Sequence, residues 1–250
     1  MKKIYGIIGN PLAQSASPAF FNNKFAAEGI DAEYLPFELQ GIEELPAVLE
    51  KHPTLSGFNV TIPYKLQIKE YLEGISDEAR EINAVNVVKV RHDSDGTPRL
   101  YGYNSDVIGF SRSISPLLGA DDRGALVLGT GGASKAIIYA LQKLGLKVQA
   151  VSRKASETAI AYSDLTPEIM SAHTVIVNCT PLGMTGHGVD QCPDIPYSLI
   201  TDKHILYDIV YNPENTLFLQ KGKQQGARTK SGYEMWYLQA LASWEIWNKE

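Results

Sequence analysis

The sequence predicts an α/β fold made of two units, an N-terminal α/β domain and a C-terminal Rossmann-type domain with a doubly wound parallel sheet. Three observations lead to this prediction. Short apolar runs alternate with amphipathic stretches of helical period along the 250 residues. A glycine-rich segment follows one of these runs at residues 129–134. After a hairpin pattern near the middle of the chain the alternation restarts, so a second α/β unit spans residues 107–230.

The first half of the chain reads as strand, helix, strand, helix, strand. The strand patterns lie at residues 4–9, 34–37 and 57–61, with helical patterns at 17–29 and 42–50 between them. Strands connected through helices pair in parallel, so we expect a parallel core to this sheet. Two further apolar runs, 84–91 and 99–103, flank Asp93-Ser94-Asp95-Gly96, and turn residues between two strands predict a hairpin.

The second half repeats the alternation and closes with a helix. Its strand patterns lie at residues 125–128, 147–152, 174–178 and 205–211. The glycine-rich segment leads into a helix that Gly145 ends. In the last helical pattern, residues 234–247, the side chains of Trp236, Ala240, Ser243 and Trp247 share one face, and we expect that face to pack against the core.

Composition and charge exclude several classes of protein. With 44% hydrophobic and 20% charged residues the chain is that of a folded globular protein. A net charge of −5 offers no general attraction to nucleic acid or to an anionic membrane, and no apolar run approaches the length of a membrane span. The apolar run after Lys3 is too short for a secretion signal, and the spacing of Cys179 and Cys192 is not that of a metal site. We therefore expect a cytoplasmic protein with reduced thiols, small-molecule ligands and no metal.

The glycine-rich segment, Gly129-Thr130-Gly131-Gly132-Ala133-Ser134, predicts a dinucleotide site. It stands between a strand and a helix, where backbone N–H groups at the helix N-terminus receive a pyrophosphate. The alternative is a glycine turn that serves packing alone. The next strand ends in Ser152-Arg153-Lys154, where an NAD enzyme presents an acidic residue to the ribose. Cationic side chains at that position suit the 2′-phosphate of NADP, unless they are simply a solvated pair.

Polar residues that follow the strands of the first half are candidates for catalysis and binding. Lys65 comes shortly after a strand that ends near Thr61, and a lysine there can protonate an oxygen that develops negative charge, although most lysines are only solvated. Asp106 follows another strand and could face Lys65, or it could cap the helix that comes next. Ser15 and Ser17 could hold a small carboxylate, and Ser17 could equally cap the helix that begins with Pro18.

Taken in order, these segments resemble the shikimate dehydrogenase family over nearly the whole chain. The motifs that carry the resemblance are Ser15-x-Ser17-Pro18, Asn59-Val-Thr61-Ile-Pro63-x-Lys65, Ala84-Val-Asn86, Asn104-x-Asp106-x-x-Gly109, the glycine-rich segment, Asn178-x-Thr180-Pro181-Leu-Gly183-Met184, Asp208-x-x-Tyr211-x-Pro213 and Gly232 followed by Gln239. The resemblance implies a shikimate-binding catalytic domain formed by residues 1–105 and 232–250, and an NADP-binding Rossmann domain formed by residues 106–231.

The resemblance also implies the role of each site residue. Lys65 and Asp106 would be the catalytic pair in the reduction of 3-dehydroshikimate to shikimate by NADPH. The substrate contacts would come from Ser15, Ser17, Thr61, Lys65, Asn86, Asp106, Tyr211 and Gln239. The cofactor contacts would come from Gly129, Gly131, Gly132, Ala133, Ser152, Arg153, Lys154, Ile209 and Gly232. Family members are monomers or homodimers, so either state is expected here.

This chain departs from the family pattern at a few positions, and two other functions stay open. The departures are Gln14 for a usual His, Asn83 for Gly, Val87 for Thr, Ser105 for Thr, and Tyr233-Glu234 within a usual glycine-rich run. None of them removes a catalytic group. A quinate/shikimate dehydrogenase that uses NAD is one alternative, although Arg153 and Lys154 argue against NAD. A catalytically silent dinucleotide-binding sensor is the other, although a sensor would be expected to lack Lys65 or Asp106.

Overall fold

The computed structural model describes residues 2–13 and 15–249, which fold into two compact units. The first unit contains the chain up to Ser105 together with the residues from Ala240 onward, and the second contains Asp106–Gln239. The departure from the family pattern at Gln14 lies outside the described residues. None of the helices in the described part of the chain has the length and apolar character needed to cross a membrane.

The first unit is built on a six-stranded mixed sheet. Its elements are β1 (Lys3–Gly9), α1 (Ser17–Glu28), β2 (Ala32–Glu38), α2 (Leu45–Lys51), β3 (Leu55–Val60), β4 (Gly74–Ile75), α3 (Asp77–Ile82), β5 (Val87–His92) and β6 (Pro98–Tyr103). The strand order is β2-β1-β3-β5-β6-β4. Strand β1 pairs in parallel with β2 and β3, whereas β5 pairs antiparallel with β3 and β6. The parallel core and the hairpin predicted from the sequence are therefore confirmed.

One aromatic cluster joins this sheet to the last helix of the chain, α8 (Tyr233–Asn248). Trp247 packs its ring 5.0 Å from that of Tyr5 and 5.3 Å from that of Phe21, measured between centroids. Its indole N–H donates to the carbonyl oxygen of Val88 on β5 at 3.0 Å. A Cβ at Gly57 would lie 2.3 Å from the indole ring, so only glycine allows this approach. The end of α8 is thus fixed to the sheet by packing and by a buried hydrogen bond.

The second unit has a six-stranded sheet in which every pair is parallel. Its elements are α4 (Asp106–Ile114), β7 (Gly124–Leu128), α5 (Gly132–Lys143), β8 (Lys147–Ser152), β9 (Ala159–Ala161), α6 (Pro167–Ala172), β10 (Val175–Asn178), β11 (Ile205–Asp208), α7 (Leu217–Gln224), β12 (Arg228–Lys230) and the first part of α8. The strand order β12-β11-β10-β7-β8-β9 is that of a dinucleotide-binding doubly wound sheet. The predicted Rossmann-type fold is confirmed.

Two differences from the sequence predictions have local causes. Strands β9 and β12 were not predicted, because each has three residues and lies at a sheet edge, where one neighbouring strand supplies the pairing and no hydrophobic period is needed. Strand β11 ends at Asp208 rather than at residue 211, because the Asp208 carboxylate accepts a hydrogen bond from the N–H of Val210 and turns the chain.

The departure from the family pattern at Asn83 has a conformational explanation. Asn83 follows the last residue of α3 and has a φ of 58°, the left-handed conformation that glycine adopts most easily. Asparagine is the residue that tolerates this conformation best after glycine. The substitution therefore preserves the end of α3 and the start of the segment that leads to Asn86.

Candidate active site

Backbone hydrogen bonds bring three of the predicted substrate residues together at the carboxyl end of β3. The N–H of Thr61 donates to the carbonyl of Ile8 at 2.9 Å, which ties the residue after β3 to β1. The N–H of Val60 donates to the carbonyl of Asn86 at 2.8 Å, and the N–H of Val85 donates to the carbonyl of Lys65 at 3.0 Å. Thr61, Lys65 and Asn86 thus lie on segments that are directly bonded to one another, at the sheet edge where α/β proteins bind ligands.

The side chain of Asn86 is buried and its orientation is determined by Ser105. Its Oδ1 accepts the backbone N–H of Ser105 at 2.7 Å, and its Nδ2 donates to the Ser105 hydroxyl at 3.1 Å. A backbone N–H can only donate, so the end of the amide facing it must be the oxygen. The amide N–H end is therefore the one that Asn86 can bring to a substrate oxygen.

Ser15 and Ser17 differ in their surroundings. Ser15 is half-buried in the loop after β1, and Ser17 is the buried first residue of α1. The residue at the N-cap position of α1 is Ala16, and no side chain caps this helix, so the capping role considered for Ser17 is wrong. Burial raises the pKa of the Tyr34 hydroxyl well above its usual value, and the Ser17 side chain acts on this pKa in the opposite direction.

In the second unit, Asp106 and Gln239 lie on two helices that touch. Asp106 is buried in the first turn of α4, where the helix dipole favours a negative charge. One turn later, a Cβ at Gly109 would lie 2.8 Å from the backbone nitrogen of Gln239, so glycine allows α8 to approach α4 here. Tyr211 is half-buried and its ring stacks on that of Trp236, with 5.5 Å between centroids.

The glycine-rich segment has the shape that a pyrophosphate requires. Gly129 has a φ of 106°, a conformation that side-chain-bearing residues avoid, and its N–H donates to Val151 on β8 at 2.8 Å. Gly131 caps α5 without a side-chain hydrogen bond, the first turn of α5 contains no acidic residue, and a Cβ at Gly131 would meet open space. The N-terminal N–H groups of a twelve-residue helix therefore face an accessible position that suits an anion.

The remaining predicted cofactor residues lie at the carboxyl ends of neighbouring strands. Ser152 is the half-buried last residue of β8, next to the strand that enters the glycine-rich segment, and it is followed by the exposed Arg153 and Lys154. On the other side, Gly232 lies so close to Ile209 that a Cβ would be 2.2 Å from the Ile209 carbonyl oxygen. The residues of this unit therefore fit a dinucleotide, with cationic side chains at one end.

The structure adds a buried network that the sequence motifs did not explain. Asp208 accepts hydrogen bonds from Asn178 at 3.0 Å, from the Val210 N–H at 3.0 Å and from the Thr216 hydroxyl at 2.6 Å. It links the ends of β10 and β11 to the start of α7, beside Ile209. Burial raises the pKa of the Asp208 carboxyl to about 6, and the three hydrogen bonds act in the opposite direction.

Stability should therefore depend on the pH through Asp208. Its pKa is higher in the folded chain than in the unfolded one, so the folded state favours the proton, and this stabilisation is lost as the pH rises through about 6. Between about pH 5 and about pH 8 the loss amounts to about 1.4 kcal/mol of unfolding free energy. In the Asp208→Asn variant this pH dependence should be absent. Urea unfolding of both proteins across this pH range measures the difference, and curves that run parallel would contradict the raised pKa.

Comparison with known proteins places the chain in a family. A family model described as the shikimate dehydrogenase substrate binding domain matches residues 7–88. The shikimate dehydrogenase (NADP(+)) of Aquifex aeolicus is 38% identical over 258 aligned positions, which cover 98% of this chain and 91% of that protein.

Solved structures agree with this placement. Shikimate 5-dehydrogenase from Thermus thermophilus, in complex with NADP(H) and shikimate, superposes with a TM-score of 0.84 and 28% identity over 99% of this chain and 94% of that one. Quinate dehydrogenase from Corynebacterium glutamicum, in complex with NAD, superposes with a TM-score of 0.86 and 26% identity over 100% and 94% of the two chains. With near-complete coverage and 38% identity to the Aquifex aeolicus protein, this chain belongs to the shikimate dehydrogenase family.

Proposed function

We propose that this protein is an NADP-dependent shikimate dehydrogenase, which reversibly reduces 3-dehydroshikimate to shikimate on the route to chorismate and the aromatic amino acids. The observation that carries the proposal is the 38% identity, over nearly the full length, to a shikimate dehydrogenase (NADP(+)). The grouping of Thr61, Lys65 and Asn86 at one sheet edge supports it, because these are residues that the family resemblance assigns to the substrate.

The first unit is assigned to the substrate. Ser15 and Ser17 bind the carboxylate through hydroxyl groups, and Asn86 donates its amide N–H to a ring hydroxyl oxygen. Thr61 completes the contacts from this unit, and Tyr211 and Gln239, which belong to the second unit, are assigned to the ring and its substituents as well. Each of these groups is neutral, so the selective recognition of a polyhydroxylated ring comes from hydrogen-bond geometry, and an analogue that lacks a matched hydroxyl leaves a polar group unpaired.

Lys65 and Asp106 are assigned to the chemistry. NADPH, when bound, supplies the hydride that reduces the C3 carbonyl of 3-dehydroshikimate. As negative charge develops on the carbonyl oxygen, the Lys65 ammonium stabilises it and transfers a proton from Nζ to that oxygen, which gives the C3 hydroxyl of shikimate. Asp106 accepts a hydrogen bond from the neighbouring hydroxyl of the substrate and so orients the ring for this transfer. In the reverse direction Lys65 takes the proton back.

The second unit is assigned to the cofactor. Gly129, Gly131, Gly132 and Ala133 hold the pyrophosphate at the N-terminus of α5, and Ser152, Arg153 and Lys154 surround the 2′-phosphate of the adenosine. Ile209 and Gly232 lie against the nicotinamide half. The open space beside Gly131 and the uncapped first turn of α5 support the first assignment, since an added side chain or an acidic residue there would oppose an anion.

The cellular location and the oligomeric state are the remaining parts of the proposal. Cys179 and Cys192 are both free thiols, which supports a reducing compartment such as the cytoplasm. A monomer or a homodimer is proposed for the oligomeric state, and sedimentation of the purified protein distinguishes them.

One kinetic panel tests the proposed function. Initial rates are measured with NADP⁺ and with NAD⁺, each with shikimate, with quinate and with buffer alone. We expect the NADP⁺ and shikimate pair to give the highest kcat/KM. A higher kcat/KM with quinate and NAD⁺ would instead establish the quinate dehydrogenase that the fold likeness allows. Tight NADPH binding without turnover of either acid would establish the silent sensor.

A further inference from the structure

A continuous chain of buried hydrogen bonds runs through the first unit and ends at the predicted substrate residue Asn86. In order, its members are Tyr34, Asn59, Ser243, Ser105 and Asn86. All five side chains are buried, and both Ser105 and Ser243 have no exposed surface. We call these five residues the polar relay. Polar side chains lose their hydration when they are buried between a sheet and a helix, which costs free energy. In the polar relay, hydrogen bonds between the side chains offset that cost.

Asn59, which lies between Tyr34 and Ser243 in the polar relay, fixes the direction of its own hydrogen bonds. Its Nδ2 donates to the backbone carbonyl of Asn86 at 3.3 Å, and a carbonyl can only accept, so the amide has one orientation. With Nδ2 there, the same nitrogen donates to the Ser243 hydroxyl at 2.9 Å. Oδ1 then accepts the hydroxyl proton of Tyr34 at 2.8 Å.

The polar relay continues from Asn59 to Asn86. Ser243 lies 3.1 Å from the hydroxyl of Ser105, and Ser105 in turn holds both ends of the Asn86 amide. The position of the Asn86 side chain therefore depends on side chains that lie behind it.

Ser243 has a particular place in this arrangement, because it is supplied by the last helix of the chain. It bridges β3, through Asn59, and the segment after β6, through Ser105. The indole of Trp247, one turn further along α8, is bonded to β5 at 3.0 Å, so the position of Ser243 is held by packing. On this otherwise apolar helix face, the small Ser243 hydroxyl hydrogen-bonds both Asn59 and Ser105, which a larger apolar side chain could not do.

We propose that Tyr34, Asn59, Ser105 and Ser243 are positioning residues for the substrate, and that they hold the Asn86 side chain in the place from which it hydrogen-bonds the substrate. The proposal rests on the proposed function, since it takes Asn86 as a substrate contact. It goes beyond that function because none of the four residues is itself assigned to the substrate. A polar group held in one orientation binds its ligand without first being ordered.

The Ser243→Ala variant is the principal test. It removes one of the two acceptors of the Asn59 amide and one partner of the Ser105 hydroxyl, and it leaves every assigned substrate contact in the chain. We expect its KM for shikimate to rise about 3- to 10-fold, the range that the loss of one buried hydrogen bond predicts, with a smaller change in kcat and an unchanged KM for NADP⁺. Tyr34→Phe, which keeps the aromatic packing and removes only the hydroxyl, should act in the same direction and serves if Ser243→Ala folds poorly.

Ser113→Ala is the matched control. The Ser113 hydroxyl is equally buried and bonds the hydroxyl of Tyr207 at 2.7 Å, but it belongs to the second unit and touches no member of the polar relay. Its loss should lower the melting temperature in the manner of Ser243→Ala and leave the KM for shikimate at the wild-type value. If Ser243→Ala, Tyr34→Phe and Ser113→Ala all raised the KM for shikimate, the cause would be general destabilisation of the fold, and the proposal would be overturned.

A double-mutant cycle gives a readout that general destabilisation does not move. Tyr34 and Ser243 do not touch and communicate through Asn59, so the combined variant should raise the KM for shikimate by less than the product of the two single effects. Strictly multiplicative effects, or relay variants with wild-type KM, overturn the polar relay and leave the proposed function intact. A wild-type protein that does not oxidise shikimate overturns the proposed function, and the polar relay with it.

Discussion

Lys65→Met should lower the kcat for shikimate oxidation about 10²- to 10⁴-fold, the range that a positioned general acid or base contributes. Methionine keeps the length and much of the apolar stem of lysine, but it carries neither the charge that stabilises the developing alkoxide nor a proton to exchange with it. The backbone of Lys65, which accepts a hydrogen bond from Val85, is unaffected by the change. Steady-state rates with saturating NADP⁺ and shikimate measure the effect, and titration with NADPH should give an unchanged affinity.

Lys69→Met is the matched control for this prediction. Lys69 lies four residues further along, is half-buried like Lys65, and has a hydrogen bond to the Asn83 side chain. Its replacement removes the same charge from the same part of the first unit. The kcat of Lys69→Met therefore shows how much of the effect comes from the loss of a nearby charge or from lower stability. A turnover of Lys65→Met equal to that of Lys69→Met would show that Lys65 does not take part in the proton transfer.

Replacing Arg153 and Lys154 together by serine should weaken NADPH binding about 10²-fold and leave NADH binding nearly unchanged. The two cofactors differ only in the 2′-phosphate, and two charge-assisted hydrogen bonds to that group are worth about this much affinity. Both side chains are exposed at the carboxyl end of β8, beside the strand that enters the glycine-rich segment. Fluorescence titration with NADPH and with NADH gives the two dissociation constants.

The double change Arg123→Ser and Lys147→Ser controls for net charge in this prediction. Those residues are also one arginine and one lysine, both exposed, and they are joined by a backbone hydrogen bond at the opposite end of β8. A control that weakened NADPH binding as strongly as the Arg153 and Lys154 change would mean that the effect comes from the overall field. Equal losses for NADPH and NADH would mean that the two cations do not read the 2′-phosphate.

Local sequence patterns were sufficient for the main elements and for the places where the candidate site residues lie. The apolar runs of β1, β7 and β10 predict strands from contiguous residues alone, without information on the neighbouring strands. The glycines from Gly129 to Gly132 likewise indicate a strand-to-helix turn by composition alone. The capping role for Ser17 is the instructive error. A serine before proline is a good helix start by local rules, yet the helix begins one residue earlier, with Ala16 at the N-cap position and Ser17 as its first, buried residue.

The sequence by itself determined the α/β class, the order of the strands along the chain, and the chemistry available at strand ends, because each of these follows from residues within a few positions of one another. Only the tertiary structure decided which polar groups are buried together. Asn59 and Ser243 are 184 positions apart, and Asn178 and Asp208 are 30 apart, so no local period connects them. Their hydrogen bonds form because packing of the sheet against α8, and of β10 against β11, removes water from both partners and leaves each with the other.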